Sequence, residues 1–261
     1  MLICEKICVH LCLKSMRDLA IIILAAGEGT RMKSNLAKVL HPLGGRPMLS
    51  YPLKLAKQMK AKRILVVIGH QGERVRATFQ DEGVKFVEQK EQKGTGHAVW
   101  QTKKYLGDFS GNILVLYGDV PLLREETVEQ LTARHKTSKA YATLLTVILK
   151  NPAGYGRIVR DERGNFLRIV EDRDANAEEK KTKEINTGIG CFKAKELFAT
   201  LRKVKPDNKK NEYYLTDVFG ILKKEGKKIE TSVAKDPQEV MGLNDRKQLA
   251  VAETVLQRHN S

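Results

Sequence analysis

The chain of 261 residues is short of cysteine, aromatic side chains and acidic residues, and it has no long apolar run. Its four cysteines, Cys4, Cys8, Cys12 and Cys191, are too few to staple a chain of this length, which excludes a secreted disulfide framework. The first three lie at four-residue spacing with His10 among them. Zinc sites usually contain tight cysteine pairs and a local fourth ligand, and both are missing here. Aromatics make up only 6%, and the lysine clusters at residues 180–183, 209–210 and 223–228 have none interleaved, so they read as solvated surface rather than a track for single-stranded nucleic acid. The acidic deficit leaves a formal charge of +16, which suits anionic substrates. No run approaches the length of a membrane span. Residues 1–15 read as an N-terminal extension ahead of a plausible start at Met16. They do not read as a signal peptide, because Glu5, Lys6, His10 and Lys14 break the apolar letters. A cytoplasmic enzyme with no membrane partner is expected.

What the sequence does contain is concentrated in residues 24–38, LAAGEGTRMKSNLAK. Just before them, residues 19–24 are uniformly apolar with three consecutive isoleucines, the composition of a strand buried on both faces. Gly27 and Gly29 permit a sharp turn and positive φ, and Arg31 and Lys38 bring positive charge to it. A strand feeding such a loop suits a polyphosphate, with amides and cations both facing the anion. A Walker A loop is excluded because Met32 stands where its second glycine belongs. A dinucleotide fingerprint fails as well: Met32 replaces its third glycine, and Gly69-His70 stand where its acidic residue belongs.

Further along, strands alternate with helices. Helical spacing covers residues 48–59, with strands at 64–68 and 84–87 and a short helix at 73–80 between them. A polar loop, QKEQKGTGH at residues 89–97, leads into a helix to Leu106. A fourth strand at 112–116 ends in Tyr117-Gly118-Asp119-Val120-Pro121. In an open parallel sheet, ligands lie beyond the carboxyl ends of the strands, so these glycine-bearing segments are expected to converge at one edge. A helix at 124–136 and a strand at 140–149 follow. The pattern then shifts: Asp161–Asn165 between two short strands signals a hairpin, residues 174–183 form a charged excursion, and strands at 185–192 and 228–233 alternate with helices at 214–224 and 245–258.

The segments LAAGEGTRM with Lys38-Val39-Leu40-His41, GTGHA, YGDVPL, GYGRI, Ile169-Val170-Glu171, EINTGI, EYYLTD and Gly242-Leu243-Asn244-Asp245-Arg246 occur in that order from about residue 16 to the C terminus. In them the chain resembles the sugar-nucleotide pyrophosphorylases, and more closely the uridyltransferase half of the bacterial bifunctional enzymes that make UDP-N-acetylglucosamine. The resemblance implies a Rossmann-like α/β fold of the nucleotidyltransferase, GT-A-like kind. Its mostly parallel sheet would carry helices on both faces and a smaller α+β sugar-binding lobe. One domain, 16–261, would divide into a nucleotide-binding part to about 150, a sugar lobe at about 151–245 and a terminal helix at 245–258, without the β-helix acetyltransferase domain that makes those enzymes trimers. The reaction implied is uridylyl transfer from UTP to N-acetylglucosamine 1-phosphate. Competing readings are another sugar 1-phosphate or dTTP, and a noncatalytic nucleotide- or RNA-binding protein.

The resemblance also assigns roles. Arg31 and Lys38 face the triphosphate; Leu24, Ala25, Ala26, Gly27, Gln89, Gly94 and Thr95 hold the nucleotide. Gln89 is suited to a uracil edge because an amide both donates and accepts. The sugar falls to Tyr117, Gly118, Gly156, Glu171, Asn186 and Thr216, and Mg²⁺ to Asp119 and Asn244, where one carboxylate and one amide oxygen leave positions for water and phosphate. Asn186 also has a bland reading as a turn residue. His41, His70 and His97 are taken as structural, since an ionised phosphate needs no base to attack. The chain departs from the family pattern at Ala37, where proline usually precedes the lysine, and this puts the positioning of Lys38 in question.

Overall fold

A computed structural model describes residues 18–206, 208 and 211–260. The expected extension at residues 1–15 with Cys4, Cys8 and Cys12, and the lysine pair at 209–210, lie outside the described residues. The all-apolar run forms β1 (Leu19–Ala25), buried throughout. Strand side chains alternate between faces, and the core divides by that parity. Ile21 and Ile23 pack with Leu53, Leu116 and Leu131 on one side, whereas Ile22 and Leu24 pack with Val99, Phe192 and Phe219 on the other. A strand covered on both faces can only be central.

The remaining strands are the hairpin pair β2 (Pro42–Leu43) and β3 (Arg46–Pro47), then β4 (Arg63–Ile68), β5 (Lys85–Glu88), β6 (Asn112–Tyr117), β7 (Ala142–Ile148), β8 (Arg157–Arg160), β9 (Phe166–Val170), β10 (Glu184–Lys193) and β11 (Ile229–Ala234). The main sheet runs β11-β7-β10-β6-β1-β4-β5. β4 and β6 flank β1 in parallel, β5 extends β4, and β11 lies parallel to β7. β10 alone on this path is antiparallel, inserted between β6 and β7. The expected hairpin is present as β8–β9 and joins the sheet through Arg157 opposite Ile185.

Helices α1 (Ser50–Gln58), α2 (Gly72–Thr78), α3 (Thr95–Gln101), α4 (Lys103–Leu106), α5 (Glu125–Thr137), α6 (Ala177–Lys181), α7 (Ala194–Leu201), α8 (Asp217–Lys224) and α9 (Arg246–Asn260) cover both faces. The continuous helix expected through Leu106 is instead the pair α3 and α4, hinged at Thr102, whose hydroxyl donates to the Val99 carbonyl at 2.6 Å. The charged excursion contains α6, started by a capping box in which Asn176 and Glu179 satisfy each other's backbone N–H groups. The terminal helix α9 packs Leu249, Ala252 and Leu256 onto Leu43 of the β2–β3 hairpin and Met48 just after it. That contact returns the C-terminal segment to the loop after β1. Among the described residues no helix is long and apolar enough to cross a membrane.

Candidate active site

The loop after β1 owes its shape to Gly29 rather than to both glycines. Gly29 has φ +66°, and a Cβ there would lie 2.5 Å from Lys38 Cβ, so glycine is needed both for the turn and for the approach of the lysine stem. Gly27 has no positive φ and no neighbour within 4 Å of its would-be Cβ; it leaves open space at the cleft. Ala37 has φ −51°, already within the range that proline imposes, and its N–H donates to Gln71 Oε1 at 3.1 Å. Gln71 Nε2 in turn donates to the Asn35 carbonyl at 2.7 Å. Proline has no N–H to give, so at this position the chain keeps a proline-like backbone and adds a tie across to the α2 entry.

A cleft of about 230 Å³ opens beyond the strand ends and brings together Leu24, Ala25, Ala26, Gly27, Gln89, Gly94 and Thr95, the residues the resemblance assigns to the nucleotide, with Lys38, Tyr117 and Asp119. A second cavity of about 720 Å³ is lined by Glu171, Asn186 and Thr216 and shares Thr95 and Tyr117 with the first. The two halves of the expected site therefore meet across a common wall.

Gln89 is 3% exposed. Its Nε2 donates to the Gly94 carbonyl at 3.1 Å and lies 3.0 Å from His97 Nδ1. The carbonyl can only accept, which fixes the amide orientation and makes Nδ1 an acceptor. Both N–H bonds of Gln89 are thus taken, and toward a base edge it presents its oxygen alone rather than a donor and an acceptor. Burial, then the charge of Lys93, hold the His97 pKa below its ordinary value, which keeps that acceptor available.

Gly94 has φ +99° and stands against the Glu212–Leu215 segment. Gly96 N donates to the Tyr213 carbonyl at 2.7 Å, Tyr213 N to the Lys93 carbonyl at 2.8 Å, and Leu215 N to Thr95 Oγ1 at 3.0 Å. The two glycines flanking Thr95 permit this close backbone seam, which joins the loop after β5 to the segment that lines the second cavity.

At the end of β6 the Asp119 carboxylate pairs with the Lys38 ammonium, which also donates to Asn244 Oδ1 at 2.7 Å. The Asp119 backbone and the Asn244 side chain are held from behind. Leu243 N donates to the Asp119 carbonyl at 2.8 Å; Asn244 Nδ2 donates to the Gly242 carbonyl at 3.0 Å, and Asn244 N to Gln248 Oε1 at 2.6 Å. The residues expected as metal ligands therefore do converge, on a cation supplied by the chain itself.

At the second cavity, Asn186 takes the turn role of its bland reading. Its Oδ1 accepts from Gly188 N at 2.8 Å within the bulge of β10, and it lines the cavity. Gly188, at φ +81°, is required because a Cβ would come within 2.7 Å of the Tyr117 hydroxyl. Burial, then the Asp119 charge, push the Tyr117 phenol above its ordinary range.

Four expected residues do not line either cavity, and Asn244 is one of them, meeting the first only through Lys38. Arg31 sits exposed on the 3-10 turn Thr30–Met32. Gly118 packs beneath the floor, its N–H donating to the Leu24 carbonyl at 2.9 Å. Gly156 backs Glu171, with its would-be Cβ 3.2 Å from Oε1. Conversely, Gln92, Glu212 and Tyr214 line the cavities without having been singled out. The signal was present: Gln92 lies three residues after Gln89, and Glu212 and Tyr214 share the EYYLTD segment with Thr216.

The family model for the MobA-like NTP transferase domain matches residues 21–176. Bifunctional GlmU proteins are similar over nearly the whole chain. The one from Pelobacter propionicus is 48% identical over 244 residues, covering 93% of this chain and 53% of its own length. That of Gloeothece citriformis is 48% identical over 239 residues, 91% of this chain and 52% of its own. That of Desulfotalea psychrophila is 43% identical over 244 residues, 94% of this chain and 72% of its own. The chain spans about half the length of most of these relatives. With the glycine loop, the joined cavities and these similarities in hand, the chain belongs to the MobA-like NTP transferase family, alongside the bifunctional GlmU proteins.

Proposed function

We propose that the chain transfers the uridylyl group of UTP to N-acetylglucosamine 1-phosphate, releasing pyrophosphate. The observation that carries this reading is the joining of the two cavities through Thr95 and Tyr117, with Lys38 and Asp119 on the wall of the first. A phosphate oxygen of the sugar substrate forms the new bond to the α-phosphorus, and the bond from that phosphorus to the departing pyrophosphate breaks. An ionised phosphate needs no general base, so positioning and charge stabilisation carry the catalysis. Gln89 offers its oxygen to the N3–H of uracil. Thr95 fixes the seam between the base and sugar sides. Glu171, Asn186 and Thr216 present carboxylate, amide and hydroxyl groups to sugar hydroxyls and the N-acetyl group.

Asp119 Oδ2 and Asn244 Oδ1 fit a hard divalent cation such as Mg²⁺, because the two oxygens already meet on one cation and leave other positions to water and phosphate. When bound, Mg²⁺ would neutralise phosphate charge as pyrophosphate leaves. Pyrophosphate release measured across a panel of nucleoside triphosphates and sugar 1-phosphates tests the assignment. UTP with N-acetylglucosamine 1-phosphate is expected to be the preferred pair; preference for glucose 1-phosphate or dTTP would refute it. Salt-sensitive RNA binding without turnover would instead support a noncatalytic binder.

A further inference from the structure

The charges around Asp119 balance without any bound ion. Asp119 contributes one negative charge and Asn244 none, while Lys38 contributes one positive charge and contacts both oxygens. Among the described residues no group of three or more His, Cys, Asp or Glu side chains is placed to hold a metal. The oxygen pair with its lysine is therefore electrically neutral, and a divalent ion arriving alone meets an ammonium already seated between its two protein ligands. Two cations at contact distance from the same oxygens repel strongly, the more so because the Lys38 side chain is only 11% exposed and the Asp119 side chain 23%.

The Asn244 oxygen and the cation also differ in their freedom to move. The Asn244 side chain is held by the Gly242 carbonyl, and the backbones of Asn244 and Asp119 are tied to Gln248 and Leu243. Lys38 is likewise tied through its carbonyl, to His41 N, and its side chain is confined at the stem, where Gly29 lets the Cβ pass. The rest of its side chain is a four-carbon arm that lines the same cleft as Gly27 and Gln89.

We propose that Lys38 is the built-in counter-ion of the Asp119–Asn244 pair. In the nucleotide-free protein its ammonium keeps the two oxygens assembled and excludes a divalent cation. It gives up that place when triphosphate oxygens in the cleft offer it another partner, so the metal enters together with the nucleotide. This rests on the nucleotidyl-transfer reading for the nature of the incoming anion.

The test is Mn²⁺ binding to the nucleotide-free protein, read by electron paramagnetic resonance of the free ion. Wild type is expected to bind weakly. Lys38→Met should bind at least tenfold more tightly, and Lys38→Met combined with Asp119→Ala should lose that gain. Lys38→Gln replaces Lys38→Met if melting shows the latter unfolded. Equal or weaker binding by the lysine variant overturns the proposal. A gain that persists in the double variant also overturns it, since the ion then lies away from Asp119. Failure here together with normal pyrophosphate release would leave the proposed reaction standing, whereas a gain in Mn²⁺ binding in a protein inactive on every substrate pair would refute the reaction and leave the counter-ion intact.

Discussion

Replacing Gly94 with alanine separates the two uses of glycine in this site. At φ +99° an L side chain is strained, at roughly 1–2 kcal/mol for left-handed backbone. The added Cβ would also stand 2.6 Å from the Tyr213 carbonyl oxygen and 2.9 Å from Glu212 Cβ. The first of these neighbours is backbone, so the seam itself must shift, at a further ~1–3 kcal/mol by analogy with overpacked cores. Together the loss is about 2–5 kcal/mol, a large share of an ordinary domain's stability, and it lowers the melting temperature by on the order of 10 °C. The displaced carbonyl is also the acceptor for Gly96 N, so the KM for UTP should rise with the loss of stability. Gly27→Ala provides the contrast, because its Cβ would meet nothing within 4 Å. It should melt like wild type and still raise the KM for nucleotide, since Gly27 lines the cleft. Differential scanning calorimetry with steady-state kinetics reads both effects. A Gly94→Ala protein melting within about 2 °C of wild type, set against the shift expected from its backbone strain, would refute the reasoning, as would a Gly27→Ala protein that melts early.

Asp119→Asn and Asn244→Ala should each lower turnover by at least ~100-fold, as expected for removing a group that organises transition-state charge, with far-UV circular dichroism unchanged; near-normal turnover in either would refute the assigned pair. His135, 1% exposed between Thr143 Oγ1 and Asn112 Oδ1, has its pKa lowered to about 4 by burial and then by Lys193 and Lys136. The unfolded chain takes up this proton first, so the stabilisation is complete above the ordinary value of 6.5 and is lost as pH falls from there toward about 4. The loss amounts to ~3 kcal/mol at 1.36 kcal/mol per unit. Denaturant melts of wild type and His135→Gln should therefore converge by about that amount across this range, and a constant gap between them would refute the assignment. Gln71→Ala removes both ties to the Lys38 loop and should raise the KM for UTP while costing only about 1 kcal/mol in stability; Ala37→Pro, which keeps the backbone angle but loses the N–H, should resemble it in a milder form.

Much of the architecture was legible in short stretches. The isoleucine run could only be a strand covered on both faces, and Asp161–Asn165 between apolar runs could only turn the chain back, because these outcomes depend on neighbours within a few residues. The helix α6 was hidden in its charged stretch because a capping box relies on the mutual placement of Asn176 and Glu179 rather than on apolar periodicity. The insertion of β10 against the direction of its neighbours was equally hidden, since its apolar letters do not encode which strands it pairs with.

At the site, the sequence by itself determined the chemistry available: a glycine loop with Lys38, an amide at Gln89, a carboxylate at Asp119 and an amide at Asn244, in an order shared with a known family. Tertiary structure decided what those groups do for one another. Lys38 reaches Asp119 across 81 positions and Asn244 across 206, and such contacts depend on sheet register and on α9 folding back over the β2–β3 hairpin. The same long-range geometry left Arg31 on the surface, used both donors of Gln89 within its own loop, and gave the N–H of Ala37 to Gln71. Local letters specify turns and strands because backbone sterics act over a few residues; which charge neutralises which is set only when distant segments are packed together.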